Sequence, residues 1–148
     1  GPYHAGSVEL IAAVIRRVLP DGWMVRTHAP VALDEDSEPE PDIAVVPGTY
    51  TDYLADHPQR PALVAEVAHS SLAYDRRRKG SLYARGGVQD YWIVNLVDHV
   101  LEVYRDPVTD PSAPYGFRYR SVERVTTAGS VALLALPAVR IAVSDLLP

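Results

Sequence analysis

The sequence predicts an α+β (α/β) fold in which a mixed β-sheet is flanked by two helices and extended by short strands toward the C-terminus. Three observations carry that expectation. Residues 7–19 have helical periodicity, residues 62–68 (ALVAEVA) form the kind of short Val-rich run that fills a buried strand, and a second helical pattern separates that run from two strands spaced as a hairpin.

In chain order, SVELIAAVIRRVL (7–19) sets Val8, Ile11, Ala12, Val14, Ile15, Val18 and Leu19 on one broad stripe with Glu9, Arg16 and Arg17 opposite, an amphipathic helix. Pro20-Asp21-Gly22 stops it, and Trp23 to Leu33 reads as extended, interrupted at Pro30. The acidic, Pro-rich DEDSEPEP (34–41) is a loop, Ile43 to Val46 a short strand ended by Pro47-Gly48, and 49–61 a surface excursion. After the strand at 62–68, Ser70 or Ser71 caps a second helix that runs to about Arg85 and ends at Gly86-Gly87. Tyr91 to Leu96 and Val100 to Tyr104 flank Val97-Asp98-His99 as a hairpin. Residues 106–116 read as a Pro-rich loop, followed by weaker extended stretches at 119–125, 131–136 and 139–143. One domain over 1–148, without internal repeats, is the expected organisation.

A chain of 148 residues with 47% hydrophobic residues buries roughly two-thirds of its unfolded surface, enough for a core without staples. The absence of Cys excludes disulfides, Cys-based zinc sites, thiol nucleophiles and Fe–S ligation. No apolar run approaches the roughly 18 residues of a membrane span and no basic-then-apolar leader opens the chain, so no membrane partner and a cytoplasmic location are expected. A net charge of −5 argues against coating nucleic acid through bulk charge. It leaves a local site open, because carboxylates that hold a divalent cation drive net charge negative even where the substrate is a polyanion. Glycine-rich loops that cradle phosphates are missing, and so is any Ser-His-Asp arrangement.

Two carboxylates stand out. Asp42 follows Pro41 at the mouth of one strand, and Glu66 lies near the end of the next, in a run otherwise made of Ala, Leu and Val. A carboxylate buried there unpaired would cost several kcal/mol, so Glu66 needs hydrogen bonds, a cationic partner or a metal ion; an ion pair with a nearby arginine is the plain alternative. On the second helix Leu72, Asp75, Lys79, Leu82 and Tyr83 share one stripe, so Lys79 faces the sheet while Arg77 and Arg78 project outward. The modest alternative for Lys79 is an i, i+4 pair with Asp75. Two carboxylates from adjacent strands and a lysine from the packing helix would together make a hard-oxygen cation site with a neighbouring ammonium, as metal-assisted phosphodiester hydrolysis requires.

These residues lie in EPEPDIAVVPG (38–48) and LVAEVAHSSLAYDRRRKGSLYARGGVQDYWIVNLVDHVLEVYRD (63–106). The pattern resembles the Uma2 family of restriction-endonuclease-like proteins, a branch of the PD-(D/E)xK nuclease superfamily, from His4 to the C-terminus and most specifically between Pro41 and Tyr104. The resemblance implies that Asp42 is the aspartate of the PD element and Glu66 the acidic residue of the second element. Ala68 stands where the superfamily lysine is usual, and the family pattern places that lysine on the following helix, where Lys79 matches. The resemblance further implies Mg²⁺ or Mn²⁺ as cofactor and nucleic acid, DNA foremost, as substrate. It implies an upstream strand pair carrying a glutamate ahead of the first helix, outside this sequence. His4 matches a histidine typical of the family and is an accessory candidate, with a core or capping histidine as the alternative. Glu9, on the polar side of its helix, is no substitute for the upstream glutamate. Asn95 stands where many relatives carry aspartate, read as a structural change at a strand end.

Arg76, Arg77 and Arg78 form either a solvated face or a phosphate contact beside the site. Tyr91-Trp92 reads as core packing rather than a base-stacking platform. His28, His57, His69 and His99 lack metal-ligand spacing and read as surface or loop residues, His69 being nearest the site in sequence. The expected function is therefore a metal-dependent endonuclease. A non-catalytic protein of nuclease fold, serving as a DNA-interacting or homodimeric scaffold, is the competing expectation, supported by the acidic balance and the relocated lysine.

Overall fold

The computed structural model describes residues 1–148, Tyr50 by its main chain alone. Pro2 opens α1 (Pro2–Val18) with its fixed φ in the first turn, where no amide is needed. The helix thus starts five residues earlier than the apolar periodicity indicates, and the extra turn carries His4. Val8, Ile11, Ala12 and Ile15 are its buried face; burying each of the larger ones stabilises by about 1.5–3 kcal/mol before ordering costs. Leu19 leaves in an extended conformation, and Gly22, at φ +90, turns the chain into β1 (Trp23–Thr27).

The expected strand from Trp23 to Leu33 is cut at Thr27. His28 takes a left-handed φ of +49; its amide still donates to the Asp42 carbonyl, a last bond in the β1–β2 register before the chain turns away. β2 (Ile43–Pro47), β3 (Leu63–Ala68), β4 (Asp90–Asn95), β5 (Val100–Thr109) and β6 (Phe117–Val125) complete a six-stranded sheet in the order β1-β2-β3-β4-β5-β6. β3 and β4 are parallel, joined by a helical crossover, and every other neighbouring pair is antiparallel. Residues 49–61 hold only a short 3₁₀ turn, Tyr50–Tyr53.

The crossover spans 72–85 as expected but is not a uniform helix. It consists of α2 (Leu72–Tyr74), a π-helical turn (Asp75–Lys79) and α3 (Gly80–Arg85). The Gly80 amide reaches back to the Asp75 carbonyl, which also accepts the buried Tyr91 hydroxyl at 2.8 Å. The wider turn rotates the helix beyond it: Gly80, Ser81, Tyr83 and Ala84 are buried, whereas Leu82, assigned to the buried stripe by regular 3.6-residue spacing, is only half-buried. π turns of this kind concentrate at functional sites.

The loop expected at 106–116 is a loop only beyond Thr109. Pro107 belongs to β5, opposite Tyr119; beyond Arg105 that strand has β6 as its sole neighbour, so the missing amide of proline is tolerated. The weak C-terminal stretches form β7 (Ser130–Ala132) and β8 (Arg140–Ala142), followed by a 3₁₀ turn, Val143–Leu146.

Side chains alternate across the sheet. One face (Ile43, Val45, Ala65, Val67, Trp92, Val94) packs on α1 and on Val131, Leu133, Ile141 and Leu146 of the C-terminal segment. The other (Val64, Ala68, Tyr91, Ile93) packs on Tyr83 and Ala84 of α3. Tyr91 and Trp92 are both fully buried, on opposite faces, so neither is a surface platform. At the far end of the sheet, buried Glu102 accepts from both Arg76 donors at 3.0 and 2.6 Å, from the Tyr104 hydroxyl and from Asn95. Asn95 also caps the β4–β5 turn through the Val97 and Asp98 amides, a structural role. Glu102→Ala should therefore cost about 2–3 kcal/mol, the worth of charge-assisted hydrogen bonds at a partly solvated arginine. Urea melts check this, and an unchanged midpoint would show the network to be idle.

Candidate active site

Antiparallel pairing of Ile43 with Ala65 puts the next pair outward, Asp42 and Glu66, side by side where β2 begins and β3 nears its end. Their contacts are reciprocal. The Asp42 amide donates to Glu66 Oε1 at 2.7 Å, and the Val67 amide donates to Asp42 Oδ2 at 2.8 Å. Lys79, at the end of the π turn, brings Nζ to 2.5 Å from Glu66 Oε2, and the Tyr83 hydroxyl donates to the same oxygen at 3.1 Å. The arginine partner considered for Glu66 is thus a lysine. Lys79 also lies 3.7 Å from Asp75 Oδ1, so its i, i+4 contact is the longer of the two.

Position differs among these groups. Glu66 is fully buried, Asp42 is 15% exposed and Lys79 29% exposed. Burial, opposed by Lys79 and reinforced by Asp42, pushes the Glu66 carboxyl up to about 7. Asp75, hydrogen-bonded to Ser71, is also raised by burial. Burial works against the charge of Lys79, yet Glu66 and Asp75 hold its ammonium above the ordinary value, so it remains protonated at neutral pH. The Tyr83 hydroxyl is raised by burial and then by Glu66, and stays a donor.

Because the folded-state value of Glu66 exceeds its ordinary 4.5, the stability tied to its protonated form is complete below that value and is lost as pH rises through about 7. Glu66→Gln mimics the protonated form. In EDTA the variant should gain on the wild type by about 3 kcal/mol between about pH 4.5 and pH 8, at 1.36 kcal/mol per pH unit. Urea melts at the two pH values test this; a gap independent of pH would contradict it.

His4, on the added first turn of α1, also reaches the site, with Nε2 3.1 Å from Asp42 Oδ2 and 3.0 Å from the Val67 carbonyl oxygen. His28, read from sequence as a loop residue, places Nδ1 3.6 Å from Asp42 Oδ1. Its left-handed backbone folds the residues after β1 back onto Asp42, and no periodicity could have revealed that; Tyr83 was visible only as a member of the helical stripe. His69 sits edge-on to Tyr3 instead. The three arginines divide. Arg76 is engaged by Glu102, whereas Arg77 and Arg78 are exposed, Arg78 leaning on the Tyr115 ring.

Among the described residues no three His, Asp or Glu side chains form a metal-ligand cluster, so a cation here would draw on main-chain oxygen as well. The donor chemistry fits a hard divalent ion. Three carboxylates, Asp42, Glu66 and Asp75, lie within electrostatic reach of the one ammonium of Lys79. Asp42 Oδ1 accepts no hydrogen bond among the described residues, and Glu66 Oε1 accepts one, which leaves acceptor capacity on both.

A mixed sheet with helices packed on both faces is a restriction-endonuclease-like fold. The chain belongs to the Uma2 family, whose model, described as "Putative restriction endonuclease", matches residues 1–144. It is similar in fold to the crystal structure of "a putative nuclease belonging to DUF820" from Anabaena variabilis, with 16% identity and a TM-score of 0.61 over 97% of this chain and 76% of that one. No curated protein sequence matches. No helix among the described residues is long and apolar enough to cross a membrane.

Proposed function

We propose that this protein is a Mg²⁺- or Mn²⁺-dependent endonuclease that hydrolyses phosphodiester bonds of DNA, with residues 1–148 acting as one cytoplasmic unit. The observation that carries the reading is the convergence of Asp42, Glu66 and Lys79 from two adjacent strands and the crossing helix. Asp42, Glu66 and the Val67 carbonyl would hold the ion, which when bound screens phosphate charge and acidifies water.

The remaining work falls to the chain's own groups. Tyr83 and the Asp42 amide fix the Glu66 carboxylate in one orientation. Lys79 keeps its proton and has a partly open ammonium, so it can neutralise charge that develops on a phosphate oxygen. Exposed Arg77 and Arg78 on the same helix supply local positive potential that offsets the net charge of −5 along a backbone path.

Calorimetric titration with Mn²⁺, followed by cleavage of single- and double-stranded DNA with Mg²⁺, Mn²⁺ or EDTA, tests the proposal. Ion binding with ion-dependent cleavage is expected. A folded protein that binds no ion and cuts neither substrate would instead be a nuclease-fold scaffold, and its oligomeric state and DNA affinity would become the relevant measurements.

A further inference from the structure

Besides Glu66, one further buried carboxylate borders Lys79. Asp75 opens the π turn that Lys79 ends, and Ser71 Oγ donates to its Oδ2 at 2.7 Å. Its other oxygen, Oδ1, faces the Lys79 ammonium at 3.7 Å, the one cation within ion-pair range of it among the described residues. Burial disfavours the charged form of Asp75, so its charge is a poor device for stability, and an uncharged residue of similar volume would avoid the desolvation cost. Lys79 in turn has two anionic partners, Glu66 Oε2 at 2.5 Å and Asp75. Glu66 spreads one negative charge over both its oxygens. A divalent ion at Oε1 would draw on that charge and repel the ammonium held at Oε2.

We infer that Asp75 is the positioning residue of Lys79: its Oδ1 keeps the ammonium at the site once a divalent ion takes up the charge of Glu66. The inference rests on the metal-dependent reading and adds to it a second anchor, on the helix rather than the sheet. Ser71 occupies Asp75 Oδ2, which leaves Oδ1 for the ammonium. Position matters, because a reacting contact misplaced by about 1 Å can cost as much as 10² in rate. Lys79 is the only lysine of the chain, every other strongly basic side chain being arginine. A compact ammonium with three rotatable donors suits a place shared between two carboxylates and a phosphate oxygen better than a flat guanidinium fork does.

A single lysine makes the test direct, because ¹⁵N-lysine labelling yields one side-chain ammonium resonance. Ammonium protons held by carboxylates exchange with water slowly enough to be seen at low temperature, and those of a free ammonium do not. In EDTA the wild type and Asp75→Asn should both show the resonance, since Glu66 holds the ammonium in each. On saturation with Mg²⁺ the wild type should keep it and Asp75→Asn should lose it. In DNA cleavage, kcat of Asp75→Asn should fall about tenfold, with KM and Mn²⁺ affinity within about twofold of the wild type. Asp75→Ser takes the place of the asparagine variant if that one does not fold, and the wild-type spectra need no variant. A resonance that Mg²⁺ abolishes in the wild type, one that persists in the Mg²⁺-loaded variant, or an unchanged kcat in the folded variant would overturn the inference while leaving the metal-dependent reading intact. Calorimetry that shows no ion binding to the wild type would overturn both.

Discussion

Asp42→Asn is expected to abolish Mn²⁺ binding and DNA cleavage together. Asp42 is the exposed member of the carboxylate pair, and its Oδ1 is free of hydrogen bonds among the described residues. The amide removes a charged oxygen donor but can still accept the Val67 amide, so the β2–β3 junction survives. With the ion's several kcal/mol of transition-state stabilisation gone, cleavage should fall by about 10³ or more. Calorimetry and a DNA cleavage assay on the same preparation check this. A variant that keeps wild-type Mn²⁺ affinity, or loses only one of the two properties, would remove Asp42 from the metal site.

Lys79→Ala should separate the two properties. The ammonium repels a cation, so its removal should leave Mn²⁺ affinity unchanged or improved, while cleavage at saturating Mn²⁺ falls by about 10² or more for loss of an electrostatic contact to the reacting phosphate. The geometry also sets the conditions. Lys79 holds the buried Glu66 carboxyl down against burial and Asp42, so without it Glu66 retains its proton more tightly and competes with the ion. The comparison therefore belongs near pH 8.5, with circular dichroism as the folding control because Lys79 ends the π turn. Full activity in a folded Lys79→Ala protein would strike this lysine from the mechanism.

The acidic pair was legible because burial makes charge conspicuous. Glu66 is the one charged residue in ALVAEVA, and the turn chemistry around Pro41 and Pro47 fixed which strand end carried Asp42. Lys79 was legible from helical spacing, although the helix that carries it is not regular. At the π turn the Asp75 carbonyl accepts the Tyr91 hydroxyl from a later strand, a tertiary contact that local periodicity does not encode. The same reason hid the pairing of Arg76 with Glu102, 26 residues away. His28 entered through a left-handed loop residue, and β5 ran through a proline that local rules treat as a breaker. The apolar stripe begins only at Val8, so the turn of α1 that carries His4 left no periodic signal.

The most direct measurement is anomalous diffraction at the manganese edge from crystals soaked in Mn²⁺. The account predicts one strong peak bounded by Asp42, Glu66 and the Val67 carbonyl, with Lys79 alongside. A soaked crystal without a peak there, in which Lys79 alone neutralises Glu66, would contradict it.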